Sequence, residues 1–512
     1  MPAEKHHQSN LSILSRRPLF CLFSLTSILF ILSWFFVLRS AGRPLHHTIL
    51  LPSSKIFNLI SGSYDSADNI EQHQERQHHL LPTHHKQPHD EEQEETAATE
   101  EDGANAAQCN CKSNQILKVF MYDLPSEFHF QLLGWTPENG DEDSVSVWPD
   151  LKSKQIHYPG GLNLQHSIEY WLTLDLLASQ YDASSTFRSA KRVLNSSEAD
   201  LIFVPFFSSL SYNRFSKASQ RGKKGKDRLL QERLVKHLTS QAEWKRSGGR
   251  DHIVMAHHPN SLLYARMMLW PAIFILSDFG RYPPTIANVD KDIIAPYKHM
   301  IKNFYNDSST FQSRKTLLYF QGAIYRKDGG IVRQELFYLL KDEKDVHFSF
   351  GSVQKDGIKA ATTGMHNSKF CLNIAGDTPS SNRLFDAIAS HCVPVIISDD
   401  IELPYEDVLD YTRFCIFVKT SDAIKKHFLI SLIRSITQEE WTRMWNRLRE
   451  VEIFYEYNYP SVENDAVQMI WQAASRKVPN VKLKLHRSRR YFRTGGGREK
   501  GLTSAPLPKN FG

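Results

Sequence analysis

The chain has 512 residues, of which 41% are hydrophobic and 23% are charged. This is the composition of a globular protein with room for two or three domains. The formal net charge of +6 is small for this length, so charge gives no reason to expect a nucleic-acid partner.

An uncharged run of twenty residues, Leu19–Leu38, stands near the N-terminus between flanking arginines. Its length spans a bilayer and exceeds the core of a usual signal peptide. We therefore predict a transmembrane signal anchor at 19–38 after a cytoplasmic tail at 1–18. A cleaved signal peptide is the alternative, because small residues follow the run. In either case the rest of the chain enters the secretory lumen.

Residues 39–114 lack the periodicity of a helix or strand and include the acidic block Asp90–Glu95. Such a segment buries too little apolar surface to fold, so it is predicted to be a disordered stem. Cys109 and Cys111 within it are too close for an ordinary mutual disulfide and could instead bridge chains or reach elsewhere.

The other sequence signals of a lumenal protein lie in the globular part. Asn195 and Asn306 each begin an Asn-x-Ser sequence and are candidate glycosylation sites. Three cysteines fall in or beside apolar strands and are predicted to be buried, namely Cys371, Cys392 and Cys415.

Beyond residue 115 apolar strands alternate with amphipathic helices, which predicts two doubly wound α/β domains at 115–290 and 291–475. The first contains strands at 119–122, 201–204, 251–255 and 272–276 and helices at 165–178 and 226–239. The second contains strands at 317–320 and 346–350, a helix at 332–340 and trailing helices at 421–435, 438–455 and 461–474. A basic tail at 476–512 is predicted to be poorly ordered.

The most informative stretch, Lys369–Ile397, has the pattern strand, turn, helix, strand. Apolar residues at 370–374 and 393–397 predict two buried strands, and Ser380 or Ser381 suits the start of a helix over 382–390. Two strands joined by one helix imply a parallel sheet. The turn at Gly376 then lies at a carboxyl end of that sheet, where open α/β folds bind ligands.

Arg383 and Asp386 share one face near the start of this helix, because they are three residues apart. A guanidinium and a helix N-terminus can bind a diphosphate, and a carboxylate can accept hydrogen bonds from a ribose. The spacing alone equally allows a structural salt bridge between the two side chains.

The motif Ala375-Gly376-Asp377 through Arg383 and Asp386, with Glu402-Leu403-Pro404-Tyr405 after it, resembles the exostosin domain of glycosyltransferase family 47. The similarity runs from about Lys118 to about Ala474. Within that family the chain is most similar to plant members described as probable arabinosyltransferases. They share the strings that read here Tyr122-Asp123-Leu124-Pro125, Val204-Pro205-Phe206-Phe207, Ser277-Asp278-Phe279-Gly280-Arg281 and Tyr325-Arg326-Lys327-Asp328.

The resemblance implies a GT-B architecture, with two Rossmann-like domains around a cleft, and an inverting transfer that needs no bound metal. In that architecture, helix ends and basic side chains bind the diphosphate of the donor. The nucleotide-sugar-binding candidates are Gly322, Arg326, Gly376, Asp377, Arg383, Asp386 and Glu402. The adjacent carboxylates Asp399 and Asp400 leave a divalent cation as an alternative.

The catalytic base is expected in the first domain, on the acceptor side. Glu169 and Asp278 are the two candidates, since one lies on a predicted helix and the other follows a strand at its carboxyl end. His166, beside Glu169 on the same helix, and His257-His258, after another strand, are further candidates, although structural or acceptor-binding roles suit them as well.

These features predict a type II membrane glycosyltransferase of the Golgi apparatus that moves a sugar from a UDP-sugar to a cell-wall polysaccharide. The resemblance suggests an arabinosyl donor and a pectic arabinan acceptor, with galactose, xylose and uronic acids still open. The alternative is a non-catalytic partner subunit in an oligomer with other glycosyltransferases. A hydrolase is disfavoured, because no paired-carboxylate arrangement is recognisable.

Overall fold

A computed structural model of the chain describes residues 116–137, 146–152, 156–181, 187–216, 225–325, 330–351 and 356–490. The predicted signal anchor, the stem and Arg326 lie outside these ranges. Within them, no helix combines the length and the apolarity that a membrane span requires.

The first domain is built on a parallel sheet of six strands in the order β2-β1-β3-β4-β5-β6. The strands are β1 (Leu117–Met121), β2 (Ala190–Val193), β3 (Leu201–Val204), β4 (His252–Met255), β5 (Ile273–Leu276) and β6 (Ile293–Ile294). Every residue of β3, β4 and β5 is buried, as expected for a parallel sheet covered on both faces. Because β6 pairs with β5, the first domain extends beyond its predicted end at residue 290.

The helices of the first domain are α1 (Ile168–Ala178), α2 (Ser208–Phe215), α3 (Lys226–Ser240), α4 (Ala242–Ser247) and α5 (Ala265–Met268). A 3₁₀ segment, Gly161–His166, leads into α1. The sequence interpretation contains neither α2 nor β2. Both are short, and α2 begins with two serines that are fully buried, which hydropathy alone does not indicate.

The second domain has five parallel strands in the order β11-β10-β9-β7-β8. They are β7 (Thr316–Gly322), β8 (Val346–Phe350), β9 (Ser368–Ile374), β10 (Val393–Ile397) and β11 (Ile416–Phe417), with helices α6 (Ile331–Leu340), α7 (Gly357–His366) and α8 (Asn382–Ala389) between them. The predicted β9-α8-β10 unit is confirmed, and the side chain of Ser381 caps α8. Two doubly wound α/β domains are therefore present.

Up to residue 490, the last described, four further α-helices follow: α9 (Thr420–Ala423), α10 (Phe428–Ser435), α11 (Gln438–Val451) and α12 (Ala466–Arg489). Helix α12 returns to the first domain, where Trp471 Nε1 donates to Asp175 Oδ2 at 3.0 Å. The sequence prediction of a poorly ordered tail from residue 476 is wrong for 476–489. Those residues stay helical because Val478 and Val481 continue the apolar stripe into the core of the first domain.

Cys371 in β9 and Cys392 before β10 form a disulfide with their Cα atoms 5.7 Å apart. The sequence correctly predicted that both would be buried, but it did not predict the bond. Cys415 is buried and free. The disulfide closes a loop that contains the turn at Gly376 and all of α8.

Candidate active site

A cavity of about 610 Å³ opens between the two domains. The second domain lines it with Gln321 and Gly322 at the end of β7 and with the segment 376–383 between β9 and α8. The first domain contributes His166, at the end of the 3₁₀ segment, and His258, shortly after β4. The carboxyl ends of parallel strands therefore form one wall, in agreement with the predicted position of the ligand site.

Arg383 and Gly322 come together although 61 positions separate them in the chain. Arg383 Nε donates to the Gln321 carbonyl at 3.0 Å, and Nη1 donates to Ser381 Oγ at 3.2 Å. The guanidinium lies 5.2 Å from the centre of the Phe320 ring. A Cβ on Gly322 would clash with Nη2 of Arg383, so a larger residue here would require the guanidinium to shift.

Gly376 makes a similar close approach to Arg333, which the sequence interpretation does not name. A Cβ on Gly376 would lie 2.7 Å from Nη2 of Arg333. The buried guanidinium donates to the carbonyls of Ala323, Ile374 and Ala375 at 2.7 to 3.1 Å, so it ties the β7 loop to the β9 loop.

A sequence signal for Arg333 exists in its register. On the predicted helix it lies in phase with Leu336 and Leu340, both of which are buried. An arginine on the apolar stripe of a helix is buried, so its guanidinium must find hydrogen-bond acceptors inside the protein. This pattern indicates that the side chain holds other segments in place.

Asp386 lines the cavity, and both oxygens of its carboxylate accept hydrogen bonds from within the protein. Oδ1 accepts from the backbone N–H of Met300 at 2.7 Å, and Oδ2 accepts from the Asn382 side chain at 2.9 Å. Burial raises the pKa of Asp386. These contacts join α8 to the segment between the two sheets. Asp377 lies nearby at the exposed rim of the same cavity.

Glu169 is fully buried and does not line the cavity. Its carboxylate accepts from the N–H groups of Ser209 and Leu210 at 3.1 and 3.0 Å, at the start of α2, and from the Tyr158 hydroxyl at 3.1 Å. Burial raises the pKa of Glu169 to about 7. This geometry favours a structural role in holding α1 against α2.

Asp278 lies behind the cavity wall. Its Oδ1 accepts from the N–H of Gly280 at 3.0 Å, and burial raises its pKa. A Cβ on Gly280 would lie 2.4 Å from Cδ of Pro379, so this loop of the first domain packs directly on the β9-α8 turn. Arg281, from the same loop, does line the cavity.

The loop after β10 stays outside the site. Glu402 is not among the cavity residues, and burial, with the nearby Glu406 carboxylate, raises its pKa. Asp399 and Asp400 do not line the cavity either; Asp399 Oδ1 accepts from the Thr420 N–H at 2.8 Å. The geometry thus brings together Gly322, Gly376, Asp377, Arg383 and Asp386, and it leaves Glu402, Glu169 and Asp278 outside the cavity lining.

Comparison with known proteins identifies the family of the chain. The exostosin GT47 domain family matches residues 113–436. This chain belongs to the exostosin GT47 family of glycosyltransferases. The family match covers both sheets and every residue named above for the cavity, and it ends within the trailing helices.

Two Arabidopsis thaliana relatives illustrate the range of this GT47 family. A probable arabinosyltransferase is 40% identical over 377 residues, which cover 73% of this chain and 81% of the relative. A probable glucuronoxylan glucuronosyltransferase is 24% identical over 69% of this chain and 82% of the relative. Among solved structures, a glycosyltransferase from Rickettsia africae aligns over 72% of this chain and 99% of its own, with 11% identity and a TM-score of 0.31.

Proposed function

We propose that this GT47 chain transfers an arabinosyl group from a UDP-sugar to a cell-wall polysaccharide such as pectic arabinan, with inversion at the anomeric carbon. The observation that carries the proposal is the position of Arg383. Its guanidinium lies in the first turn of α8, over Gly322 and beside the interdomain cavity. The sugar is suggested by the arabinosyltransferase relative.

The leaving group of such a reaction is a diphosphate, which needs positive charge as the bond to the sugar breaks. Helix α8 offers the partial positive charge of its N-terminus. Arg383 adds a guanidinium from the second domain, and Arg281 adds another from the first. We propose that these groups serve without a divalent cation.

The acceptor would occupy the first-domain side of the cavity. Leu162, His166, His258 and Asn260 line that side, which combines an apolar residue with hydrogen-bonding groups. Sugar rings present both apolar faces and hydroxyls, so this lining suits a carbohydrate. The cavity lies open between the domains, as a polymeric acceptor requires.

We propose that the globular part acts in the Golgi lumen, held by the predicted anchor at 19–38. The Cys371–Cys392 disulfide supports an oxidising compartment. Asn195 and Asn306 are both exposed, so a lumenal oligosaccharyltransferase could reach them.

A uronic acid is the second candidate sugar, since several relatives at 22 to 24% identity are named probable glucuronosyltransferases. The decisive experiment measures UDP release by the full-length chain with UDP-arabinose, UDP-galactose, UDP-xylose, UDP-glucuronic and UDP-galacturonic acid. Each donor is offered with arabinan oligosaccharides, with and without EDTA.

We expect release with UDP-arabinose alone, unaffected by EDTA, and loss of release in Arg383→Ala. Arg434→Ala is the matched control, because Arg434 pairs with Glu343 and Asp345 on the surface, away from the cavity. Preference for another donor would replace the sugar in the proposal. A folded chain that binds UDP and turns over no donor, alone or with other glycosyltransferases, would contradict an enzymatic role; activity only in a mixed complex would favour a partner subunit.

A further inference from the structure

Three histidines of the first domain form a connected group beside the cavity. Nδ1 of His166 lies 2.8 Å from Nδ1 of His257, and Nε2 of His257 lies 3.1 Å from the carbonyl oxygen of Ala295. The His258 ring is 4.6 Å from that of His166, and its Nδ1 accepts from the Asn260 N–H at 3.1 Å. His166 and His258 line the cavity, whereas His257 lies behind them, fully buried.

These contacts determine where the protons lie. A carbonyl can only accept, so His257 Nε2 must carry the proton that is directed at Ala295. In neutral His257 the lone pair is then on Nδ1, and His166 Nδ1 must donate to it. In neutral His166 the remaining lone pair is therefore on Nε2. No described residue donates a hydrogen bond to that nitrogen.

The surroundings of these rings keep them neutral. Burial lowers the pKa of His166 well below its usual value, and the neighbouring imidazoles lower it further. Burial likewise lowers the pKa of His257 to about 3 and of His258 to about 4. The titratable groups beside His166 are His257, His258 and Tyr297. The charged groups that line the same cavity are Arg281, Arg333, Asp377, Arg383 and Asp386.

We propose that His166 is the catalytic base and that His257 positions it. The inference rests on the proposed glycosyl transfer. His166 Nε2 takes the proton of the acceptor hydroxyl while the acceptor oxygen forms its bond to the anomeric carbon. The bond from that carbon to the diphosphate oxygen breaks, and its electron pair leaves with UDP.

His257 would act through the second nitrogen of His166. His257 Nδ1 accepts a hydrogen bond from the Nδ1–H of His166 throughout the reaction, and His257 Nε2–H donates to the Ala295 carbonyl. His166 therefore keeps one orientation and one tautomer. The bound diphosphate is anionic and favours the imidazolium that forms. The position of His166 also suits a base, because it lies on the proposed acceptor side of the cavity, whereas Arg383 lies on the second-domain side, where the diphosphate is proposed to bind.

The first test reads the tautomer directly and needs no turnover. Nitrogen-15 NMR of the full-length chain, labelled at histidine, would be compared with His166→Ala and His486→Ala to assign the signals. His486 is exposed on α12 and serves as the control. We expect the His166 signal to show a protonated Nδ1 and an unprotonated Nε2, without titration between pH 8 and 5.5. A protonated Nε2, or titration near pH 6.5, would overturn the inference.

The second test separates the base from binding. We expect His166→Ala to reduce kcat by about 100-fold or more, with the Kd for UDP unchanged within about threefold and added imidazole restoring part of the rate. His257→Gln should lower kcat less and should populate the other His166 tautomer. His486→Ala should match wild type in both measurements.

Two outcomes would contradict the assignment. Transfer by His166→Ala within tenfold of wild type would show that another group takes the proton. A parallel loss of UDP binding would show a structural role instead. A wild-type chain that turns over no UDP-sugar would count against the proposed function, and the tautomer measurement would still decide whether His166 is arranged as a base.

Discussion

The guanidinium of Arg383 occupies the space that a side chain at Gly322 would fill, with Nη2 only 2.2 Å from an ideal Cβ position. Gly322 ends β7, and Arg383 lies in the first turn of α8, which follows the neighbouring strand β9. This contact places a positive charge beside the cavity, and a side chain at position 322 would require that charge to shift.

Gly322→Ala is therefore expected to displace Arg383 and weaken UDP binding by about tenfold or more, because a charge-assisted hydrogen bond to phosphate contributes about 1.5–3 kcal/mol. Titration calorimetry with UDP measures the effect. Gly160→Ala is the matched control, since a Cβ at Gly160 meets no atom within 4 Å. Equal affinity in both variants would show that Arg383 does not contact the nucleotide from this position.

The Cys371–Cys392 disulfide is expected to stabilise the second domain, because it spans 21 positions and restricts the unfolded chain. A loop of that size corresponds to about 3 kcal/mol. Thermal unfolding with and without dithiothreitol measures this contribution, and reduction should lower Tm.

The double variant Cys371→Ala, Cys392→Ala should lose the response to dithiothreitol, whereas Cys415→Ala should keep it, because Cys415 is free. UDP binding should weaken on reduction as well, since the disulfide closes the loop that carries Arg383 and Asp386. A Tm unaffected by dithiothreitol in the wild-type chain would refute the stabilising role.

Glu169 is expected to make stability fall as pH rises. Its pKa is about 7 in the folded chain, raised by burial from 4.5, so the folded state holds a proton that the unfolded state has released. The unfolding free energy of wild type should therefore decrease relative to Glu169→Gln between pH 4.5 and 7, by up to about 3 kcal/mol. Urea unfolding at a series of pH values measures the difference.

The same variant decides between a structural and a catalytic Glu169. Glu169→Gln should keep transfer within about tenfold of wild type wherever it is folded, because its carboxylate is bound to Ser209, Leu210 and Tyr158. A 100-fold loss of kcat in a folded variant with normal UDP affinity would reinstate it as the base.

The sequence predicted the local geometry around Gly376, Arg383 and Asp386, and for a physical reason, although it also named Glu402, which lies outside the cavity lining. The strand, turn and helix around Gly376 are encoded locally, so Arg383 and Asp386 follow from spacing on one helix. Arg333 was missed although its register with Leu336 and Leu340 is visible in the sequence, because the backbone carbonyls that it binds belong to other segments.

The first-domain half could not be predicted in the same way. Glu169 and His166 are three residues apart, and the sequence favoured the carboxylate as a base. His166 ends the 3₁₀ segment and lines the cavity, whereas Glu169 is held against the start of α2. Hydropathy indicated neither the 3₁₀ segment nor α2, so the sequence could not separate the two side chains. The Cys371–Cys392 bond was missed because it depends on how Cys392 returns to the strand beside Cys371.

The most direct test of the central claim is the affinity of the full-length chain for UDP in wild type, Arg383→Ala and Arg434→Ala. We predict equal Kd values for wild type and Arg434→Ala, and a value at least about tenfold weaker for Arg383→Ala, in EDTA as well as in its absence. Equal affinities in all three proteins would contradict the assignment of the interdomain cavity, with Arg383 in its wall, as the nucleotide-sugar site.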